Sequence, residues 1–144
     1  MTKRSADPRV DADMVERLIA AARSAAHHAY VPYSNFPVGA AILTADGTIV
    51  TGANIENASF GLTTCGERVA MFTAAAAGHR EIRAIAISTP RHPGASPCGA
   101  CRQVLNEFKP VDFDLAVMME GPENVIVTSL DELLPMAFGP RDLS

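Results

Sequence analysis

The first regular pattern along the chain is an apolar face that repeats at helical spacing. It begins after Asp11 and Asp13, either of which can cap the exposed backbone N–H groups of a helix. Pro32 and Pro37 end the regularity. The residues of this face are Val15, Leu18, Ile19, Ala22, Ala25, Ala26 and Ala29. The spacing predicts a first helix that starts near Asp11 or Asp13.

Two short apolar runs come next and predict a β-hairpin. They cover residues 38–43 and 48–53, with Ala45-Asp46-Gly47 between them. An Asp-Gly pair between two apolar runs is a strong hairpin signal, because glycine readily adopts the left-handed conformation of tight turns. We therefore expect two antiparallel strands.

In the remainder of the chain, helical and strand-like segments alternate. The predicted elements are a helix over 65–77, a strand over 82–88, a helix over 98–108, strands over 115–119 and 125–128, and a short final helix capped by Ser129. Helices interleaved with apolar strands indicate an α/β protein. We predict a three-layer α-β-α sandwich around a mixed five-stranded sheet, in a single domain over residues 11–144 that follows a flexible tail over residues 1–10.

Composition excludes several classes of protein. Of the 144 residues, 48% are apolar and 19% are charged, which excludes a disordered chain. The net charge of −4 and the lack of a basic stripe predict no nucleic acid polymer as a partner. No apolar run approaches the ~20 residues that span a bilayer, and the N-terminus lacks the apolar segment of a secretory signal. We expect a cytoplasmic protein with no membrane partner.

The chain has three cysteines, an odd number that does not suit a pure disulfide framework. Cys98 and Cys101 form a C-x-x-C motif at the start of a predicted helix. Alone, this motif is equally consistent with a redox pair, half of a structural zinc site or two buried thiols. Cys65 lies at a second junction between a loop and a helix. Three thiolates would hold one zinc ion per chain and leave a tetrahedral position open, as in catalytic sites.

A closed structural zinc site would require a fourth ligand, for which histidine is the natural candidate. The chain has four histidines, none of which has ligand-like spacing from the cysteines, and helix-packing, surface and loop positions account for them. They are His27, His28, His79 and His92.

Two charged residues follow Cys65 directly enough to act at such a site. Glu67 is placed to aim its carboxylate at a metal-bound water without being a ligand, although a glutamate in the first turn also suits the helix dipole. Arg68 is a candidate to hydrogen-bond the cysteine sulfurs and offset their negative charge, the alternative being an ordinary surface arginine.

Longer sequence blocks surround these residues. The motifs Cys65-Gly66-Glu67 and Pro97-Cys98-Gly99-Ala100-Cys101 match the three-cysteine form of the zinc deaminase signature. Further blocks are AYVPYSNFPVGAA at 29–41, NIENAS at 54–59, PCGACRQ at 97–103 and LLPMAFGP at 133–140. Together they cover nearly the whole chain, which resembles cytidine deaminases of the small, homotetrameric class.

The resemblance implies a function and a set of substrate contacts. It implies zinc-dependent hydrolytic deamination of cytidine and deoxycytidine, by a homotetramer with shared active sites. It also implies that Asn54 and Glu56 bind the ribose hydroxyls, and that the backbone N–H of Gly66 binds the base carbonyl. Phe36 would pack beside the pyrimidine, and Phe138 would stack on it from a neighbouring subunit.

Two positions depart from the pattern of that family. Gly66 replaces the usual Ala, which predicts a slightly roomier pocket, and Phe60 replaces a common Tyr. The alternatives are deamination of another aminopyrimidine nucleoside such as blasticidin S, editing of a base in RNA or DNA, and a non-catalytic zinc-stabilised binding module or redox protein. The acidic balance of the chain argues against editing of polymers.

Overall fold

In the computed structural model, which describes residues 4–144, the first apolar repeat folds as helix α1 (Ala12–Ala25). Asp11 caps this helix, since its carboxylate accepts a hydrogen bond of 2.9 Å from the backbone N–H of Met14. The predicted apolar face is buried from Leu18 to Ala26, and a 3-10 turn (Ala26–His28) ends the helical segment.

The predicted hairpin is present as strands β1 (Gly39–Thr44) and β2 (Ile49–Ala53), which pair antiparallel. Gly47 has a φ of +88°, a conformation that costs glycine little and other residues more. The Asp46 carboxylate stabilises the turn by accepting a hydrogen bond of 3.1 Å from the backbone N–H of Thr48.

The remaining elements also follow the predicted order. They are α2 (Gly66–Ala76), β3 (Ile82–Ser88), α3 (Gly99–Glu107), β4 (Ala116–Glu120), β5 (Val125–Ser129) and α4 (Leu130–Leu133). The sheet order is β2-β1-β3-β4-β5, with β3 and β4 parallel and every other pair antiparallel. The prediction of a mixed five-stranded sheet is confirmed. None of the helices within residues 4–144 combines the length and apolar character that crossing a bilayer requires.

The central strands bury both of their faces, which is why they are apolar throughout rather than alternating. On β3, Ala84 and Ala86 pack against α1, and their small size lets that helix lie close to the sheet. Ile85 and Ile87 point the other way and join the core formed with α2 and α3. This two-sided burial confirms the three-layer α-β-α arrangement.

The segment that precedes α1 is attached to the domain. Arg4 donates hydrogen bonds of 2.6 and 3.1 Å to the Asp131 carboxylate and one of 2.8 Å to the Pro110 carbonyl oxygen. Asp7 is buried and accepts a hydrogen bond of 2.8 Å from Arg83. The flexible tail stays a prediction, and the structure shows that residues 4–10 make long-range contacts with the domain. Residues 1–3 of that prediction lie outside the described part of the chain.

Candidate metal centre and substrate pocket

The starts of two helices bring the cysteines together. Cys65 is the N-cap residue of α2 and Cys98 that of α3, and both have extended backbone. The backbone N–H of Cys101 donates to the Cys98 sulfur at 3.5 Å. The partial positive charge of each helix N-terminus favours thiolate over thiol. Local helix-capping geometry and the packing of α2 beside α3 thus create a cluster of three thiols.

The spacing of the sulfur atoms fits zinc. The Sγ atoms of Cys65 and Cys98 are 4.0 Å apart, and those of Cys98 and Cys101 are 3.4 Å apart. Tetrahedral zinc with Zn–S bonds of ~2.3 Å requires sulfurs ~3.8 Å apart. Within residues 4–144, this is the one group of Cys, His, Asp and Glu side chains whose ligand atoms converge in this way. No histidine belongs to it, so the donor set leaves a fourth position open.

Arg68 contacts the cluster directly. Its Nη2 donates a hydrogen bond of 3.2 Å to the Cys65 sulfur. Hydrogen bonding from Cys101 and then from Arg68 lowers the pKa of Cys65 to about 5, although burial opposes the shift. The pKa of Cys101 is raised, mainly because its thiol donates to Cys65 and also because it is buried. The hydrogen bond from Arg68 therefore favours the thiolate form of Cys65.

Glu67 lies in the first turn of α2 and is 6% exposed. Burial is the main cause that raises its pKa to about 7. The hydrogen bond from its own backbone N–H opposes this shift, the negative charge of Cys65 adds to it, and Arg68 opposes it more weakly. The Glu67 side chain lines a pocket together with Cys65 and Cys98 but does not belong to the ligand group. It is positioned to exchange protons with a molecule in that pocket.

The pocket has a volume of about 160 Å³ and lies at the ends of β1, β2 and β3. Its lining residues are Phe36, Val38, Asn54, Thr63, Cys65, Glu67, Ile87, Thr89, Ala95, Ser96 and Cys98. Two of the predicted substrate residues, Phe36 and Asn54, therefore lie in the same cavity as the cysteine cluster and Glu67. The cavity combines apolar walls with a few polar groups, as small-molecule sites do.

Asn54 connects the strands around the pocket. Its Oδ1 accepts a hydrogen bond of 2.8 Å from the Val38 backbone N–H, and its Nδ2 donates one of 2.8 Å to the Phe36 carbonyl oxygen. The side chain is 8% exposed, and these two bonds satisfy one donor and one acceptor of its amide. Asn54 thereby fixes the backbone on both sides of Pro37 and with it the position of the Phe36 ring.

Glu56 lines a neighbouring, more open pocket of about 400 Å³ with Tyr33, Ser34, Phe60 and Thr63. Its carboxylate accepts hydrogen bonds from the Ser34 hydroxyl and from the backbone N–H groups of Tyr33 and Ser34, the latter two at 3.0 and 3.1 Å. The Ser34 hydroxyl is the main reason why the pKa of Glu56 lies below its usual value. Thr63 lines both pockets, so Glu56 lies beside the cysteine cavity rather than in it.

Gly66, the first residue of α2, is tightly enclosed. A β-carbon built there would lie 2.9 Å from the Val38 carbonyl oxygen and 3.3 Å from the Asn54 backbone nitrogen. The space of the missing methyl group is thus occupied by the backbone of the residues that precede β1 and follow β2. The expectation of a roomier pocket is wrong for this reason.

Phe138 lies apart from both pockets of its own chain. Its ring is 60% exposed. Phe60 is 74% exposed and packs edge-to-face on Tyr33, with ring centroids 5.7 Å apart.

Several pocket residues were not identified from the sequence. Thr89 follows β3 directly, and its hydroxyl donates to the His92 carbonyl oxygen at 2.7 Å. Ala95 and Ser96 shortly precede Cys98. Two signals could have found them: the position of Thr89 at the carboxyl end of a buried strand, where α/β proteins bind ligands, and the adjacency of the other two to a ligand motif.

Fold and site together define an α/β zinc enzyme with a buried carboxylate beside its metal ligands. The family model described as the cytidine and deoxycytidylate deaminase zinc-binding region matches residues 13–116. The chain belongs to the cytidine and deoxycytidylate deaminase family, and its cofactor is zinc.

Relatives support this assignment in sequence and in structure. A cytidine deaminase of Sporosarcina psychrophila is 47% identical over 131 residues, which are 90% of this chain and 95% of the relative. The crystal structure of cytidine deaminase from Burkholderia pseudomallei is similar with a TM-score of 0.74 and 46% identity, over 85% of this chain and 98% of that one. The crystal structure of cytidine deaminase from Mycobacterium tuberculosis is similar with a TM-score of 0.77 and 41% identity, over 90% of this chain and 100% of that one.

Proposed function

We propose that the protein hydrolyses the exocyclic C–N bond of cytidine and deoxycytidine, forming uridine or deoxyuridine and ammonia. The observation that carries this proposal is the buried Glu67 carboxyl in one pocket with three convergent thiols. The names of the relatives described above support the choice of substrate.

The reaction adds one water molecule and releases one ammonia molecule. The water oxygen bonds to the amine-bearing ring carbon, and the bond from that carbon to the amine nitrogen breaks. One water proton ends on the ring nitrogen and the other on ammonia. When zinc is bound by Cys65, Cys98 and Cys101, it supplies Lewis acidity that brings the pKa of a bound water toward 7. Glu67 carries the protons, since it is the acidic side chain that lines this pocket.

The other pocket residues hold the nucleoside in our proposal. Phe36 packs beside the base, and the backbone N–H of Gly66 binds the base carbonyl. Asn54 and Glu56 bind the ribose hydroxyls, which amide and carboxylate groups suit chemically. Phe138 completes the site of a neighbouring subunit.

Arg68 sustains the metal site in this proposal. Its hydrogen bond to the Cys65 sulfur reduces the negative charge that the thiolate donates to zinc. Arg68 would thereby help a zinc ion held by three thiolates to keep its acidity toward water.

We further propose a cytoplasmic homotetramer that serves pyrimidine salvage. Exposed apolar side chains support self-association, because large apolar patches commonly mark interfaces. They include Tyr30, Ile55, Phe60, Leu62, Met136 and Phe138. The three free cysteines support the location, because the cytoplasm keeps thiols reduced and available to zinc.

A substrate panel tests the activity. Purified zinc-loaded protein is incubated with cytidine, deoxycytidine, their nucleotides, free cytosine and blasticidin S, and ammonia release and absorbance are followed. We expect turnover of the two nucleosides. Turnover of blasticidin S alone would replace our substrate assignment.

Glu67→Gln tests the chemistry, with Glu107→Gln as a matched control on the exposed surface of α3. The first variant should retain zinc and lose activity, whereas the second should retain both. Full activity in zinc-loaded Glu67→Gln would sink the deaminase mechanism and favour a non-catalytic zinc module.

A further inference from the structure

The backbone of Phe138 is held by two side chains of α3. Gln103 Nε2 donates a hydrogen bond of 2.9 Å to the Phe138 carbonyl oxygen, and Asn106 Nδ2 donates one of 3.1 Å to the same atom. A carbonyl oxygen has two lone pairs, so both of its acceptor positions are used. The ring of this residue nevertheless remains 60% exposed. Phe138 thus combines an exposed aromatic side chain with a backbone that is held by hydrogen bonds from α3.

The residue that follows strengthens this attachment. A β-carbon at Gly139 would lie 2.6 Å from Asn106 Nδ2, so any larger residue there would displace the amide. The Gly139 backbone N–H donates a hydrogen bond of 2.8 Å to the Asp142 carboxylate. The carbonyl oxygen of Phe138 and the backbone N–H of Gly139 are therefore both hydrogen-bonded.

The same helix also fixes the loop that carries a metal ligand. Arg102 Nε donates a hydrogen bond of 2.8 Å to the carbonyl oxygen of Pro97, the residue before Cys98. Its Nη1 donates one of 2.8 Å to the Leu133 carbonyl oxygen, where the segment leading to Phe138 begins. Arg102 thus holds both the loop that carries Cys98 and the segment that leads to Phe138.

We propose that Gln103 and Asn106 are positioning residues for Phe138, which they hold so that its ring stacks on the nucleoside bound by a second copy of this chain. This inference rests on the proposed function, because it requires the ring to serve a neighbouring site. The two amides do not touch the substrate. They act by limiting the rotation and translation of the backbone from which the ring projects, so that less ordering remains to be done on binding.

Kinetics of the zinc-loaded protein test the inference. Gln103 is exposed, so Gln103→Ala removes one donor with little risk to folding. We expect its KM for cytidine to rise about fivefold, as for the loss of one ordinary hydrogen bond, with kcat changed less than about twofold. Glu107→Ala, on the same helix, is the matched control and should leave both constants unchanged. An unchanged KM in Gln103→Ala overturns the proposal.

A double-mutant cycle identifies the route of the effect. In a Phe138→Leu background, Gln103→Ala should raise KM no further, because the ring through which it acts is gone. An equal fold-change in both backgrounds would mean that Gln103 acts elsewhere and would overturn the proposal.

A spectroscopic measurement separates this inference from the activity itself. The chain has no tryptophan, so Phe138→Trp places a single reporter at the position. Adding Gln103→Ala should lower its fluorescence anisotropy at unchanged oligomer size, and adding Asn106→Ala should do the same. Equal anisotropy with and without the amides overturns the proposal. Absence of ammonia release from the unsubstituted protein would instead contradict the proposed function, whatever the reporter shows.

Discussion

The first turn of α2 packs against Val38, the residue that precedes β1, so that Gly66 lies close to the Val38 carbonyl oxygen. A β-carbon at Gly66 would approach this oxygen to 2.9 Å. The same oxygen accepts a hydrogen bond of 3.2 Å from the Asn54 backbone N–H. Because Asn54 also fixes Val38 and Phe36 through its side chain, the glycine supports the geometry of the whole pocket wall.

Gly66→Ala should therefore destabilise this chain even though alanine is the better helix former. Overpacking of a tight site costs ~1–3 kcal/mol, which exceeds the gain in helix propensity near a helix start. We expect a lower unfolding midpoint in denaturant and a higher KM for cytidine. Gly99→Ala is the matched control: it also alters the first residue of a helix, and its β-carbon would meet nothing within 4 Å. Equal stability of the two variants would contradict the close-packing argument.

Asn54→Asp should weaken both stability and substrate binding. The change keeps the acceptor for Val38 but replaces the donor to the Phe36 carbonyl with a second acceptor, so two oxygens face each other. The expected cost in the free energy of unfolding is ~1–3 kcal/mol.

Denaturant unfolding and the KM for cytidine measure these effects. Asn57→Asp controls for the chemical change, since the Asn57 side chain acts as an acceptor for the Ser59 backbone N–H, a role that aspartate retains. A stable Asn54→Asp protein with unchanged KM would show that the hydrogen bonds of Asn54 to Val38 and Phe36 are dispensable.

The attachment of residues 4–10 should make stability depend on pH through Asp7. Burial alone would raise the pKa of Asp7, but hydrogen bonds from the Arg9 backbone and from the Arg83 and Arg9 side chains outweigh it and lower the pKa. A lowered pKa in the folded state means that the stabilisation is present above the unfolded value of about 3.9 and is lost as pH falls through the folded value.

Asp7→Asn should remove this contribution and cost ~2 kcal/mol at neutral pH, because Arg83 loses a charged partner. The difference in unfolding free energy between the original and Asp7→Asn proteins should shrink as pH falls below about 4. Measuring differences cancels the loss of zinc that acid causes in both proteins. Asp112→Asn, an exposed change of equal charge, should show no such pH-dependent difference.

Removal of zinc should destabilise the protein reversibly. A ligand that binds only the folded state stabilises it by ~4 kcal/mol at a thousand times its dissociation constant. We expect a chelator to lower the melting temperature, and zinc to restore it. Magnesium should fail to do so, because it prefers oxygen ligands to thiolates. Full recovery with magnesium would contradict the three-thiolate site.

Local sequence patterns were enough to predict the elements of this fold and the chemical core of its site. The apolar spacing of α1, the Asp46-Gly47 turn and the Ser129 cap depend on residues close together in the chain, so local patterns reveal them. The three thiols and Glu67 belong to two short motifs whose residue types have few other uses in combination. Resemblance extended this reading to Phe36 and Asn54, which the structure places in the cysteine pocket.

The contacts between segments far apart in the sequence became visible in the folded chain alone. Arg4 donates a hydrogen bond to Asp131, which lies near the other end of the sequence, and periodicity could not show this contact. The segment that was expected to be a flexible tail contacts the domain as a result. Gly66 adds no space, because the approach of α2 to Val38 depends on how a helix packs on the hairpin. The physical reason is common to both cases. Hydrogen bonds and packing between segments far apart in sequence depend on three-dimensional distance, which the local pattern of apolar and polar residues does not encode.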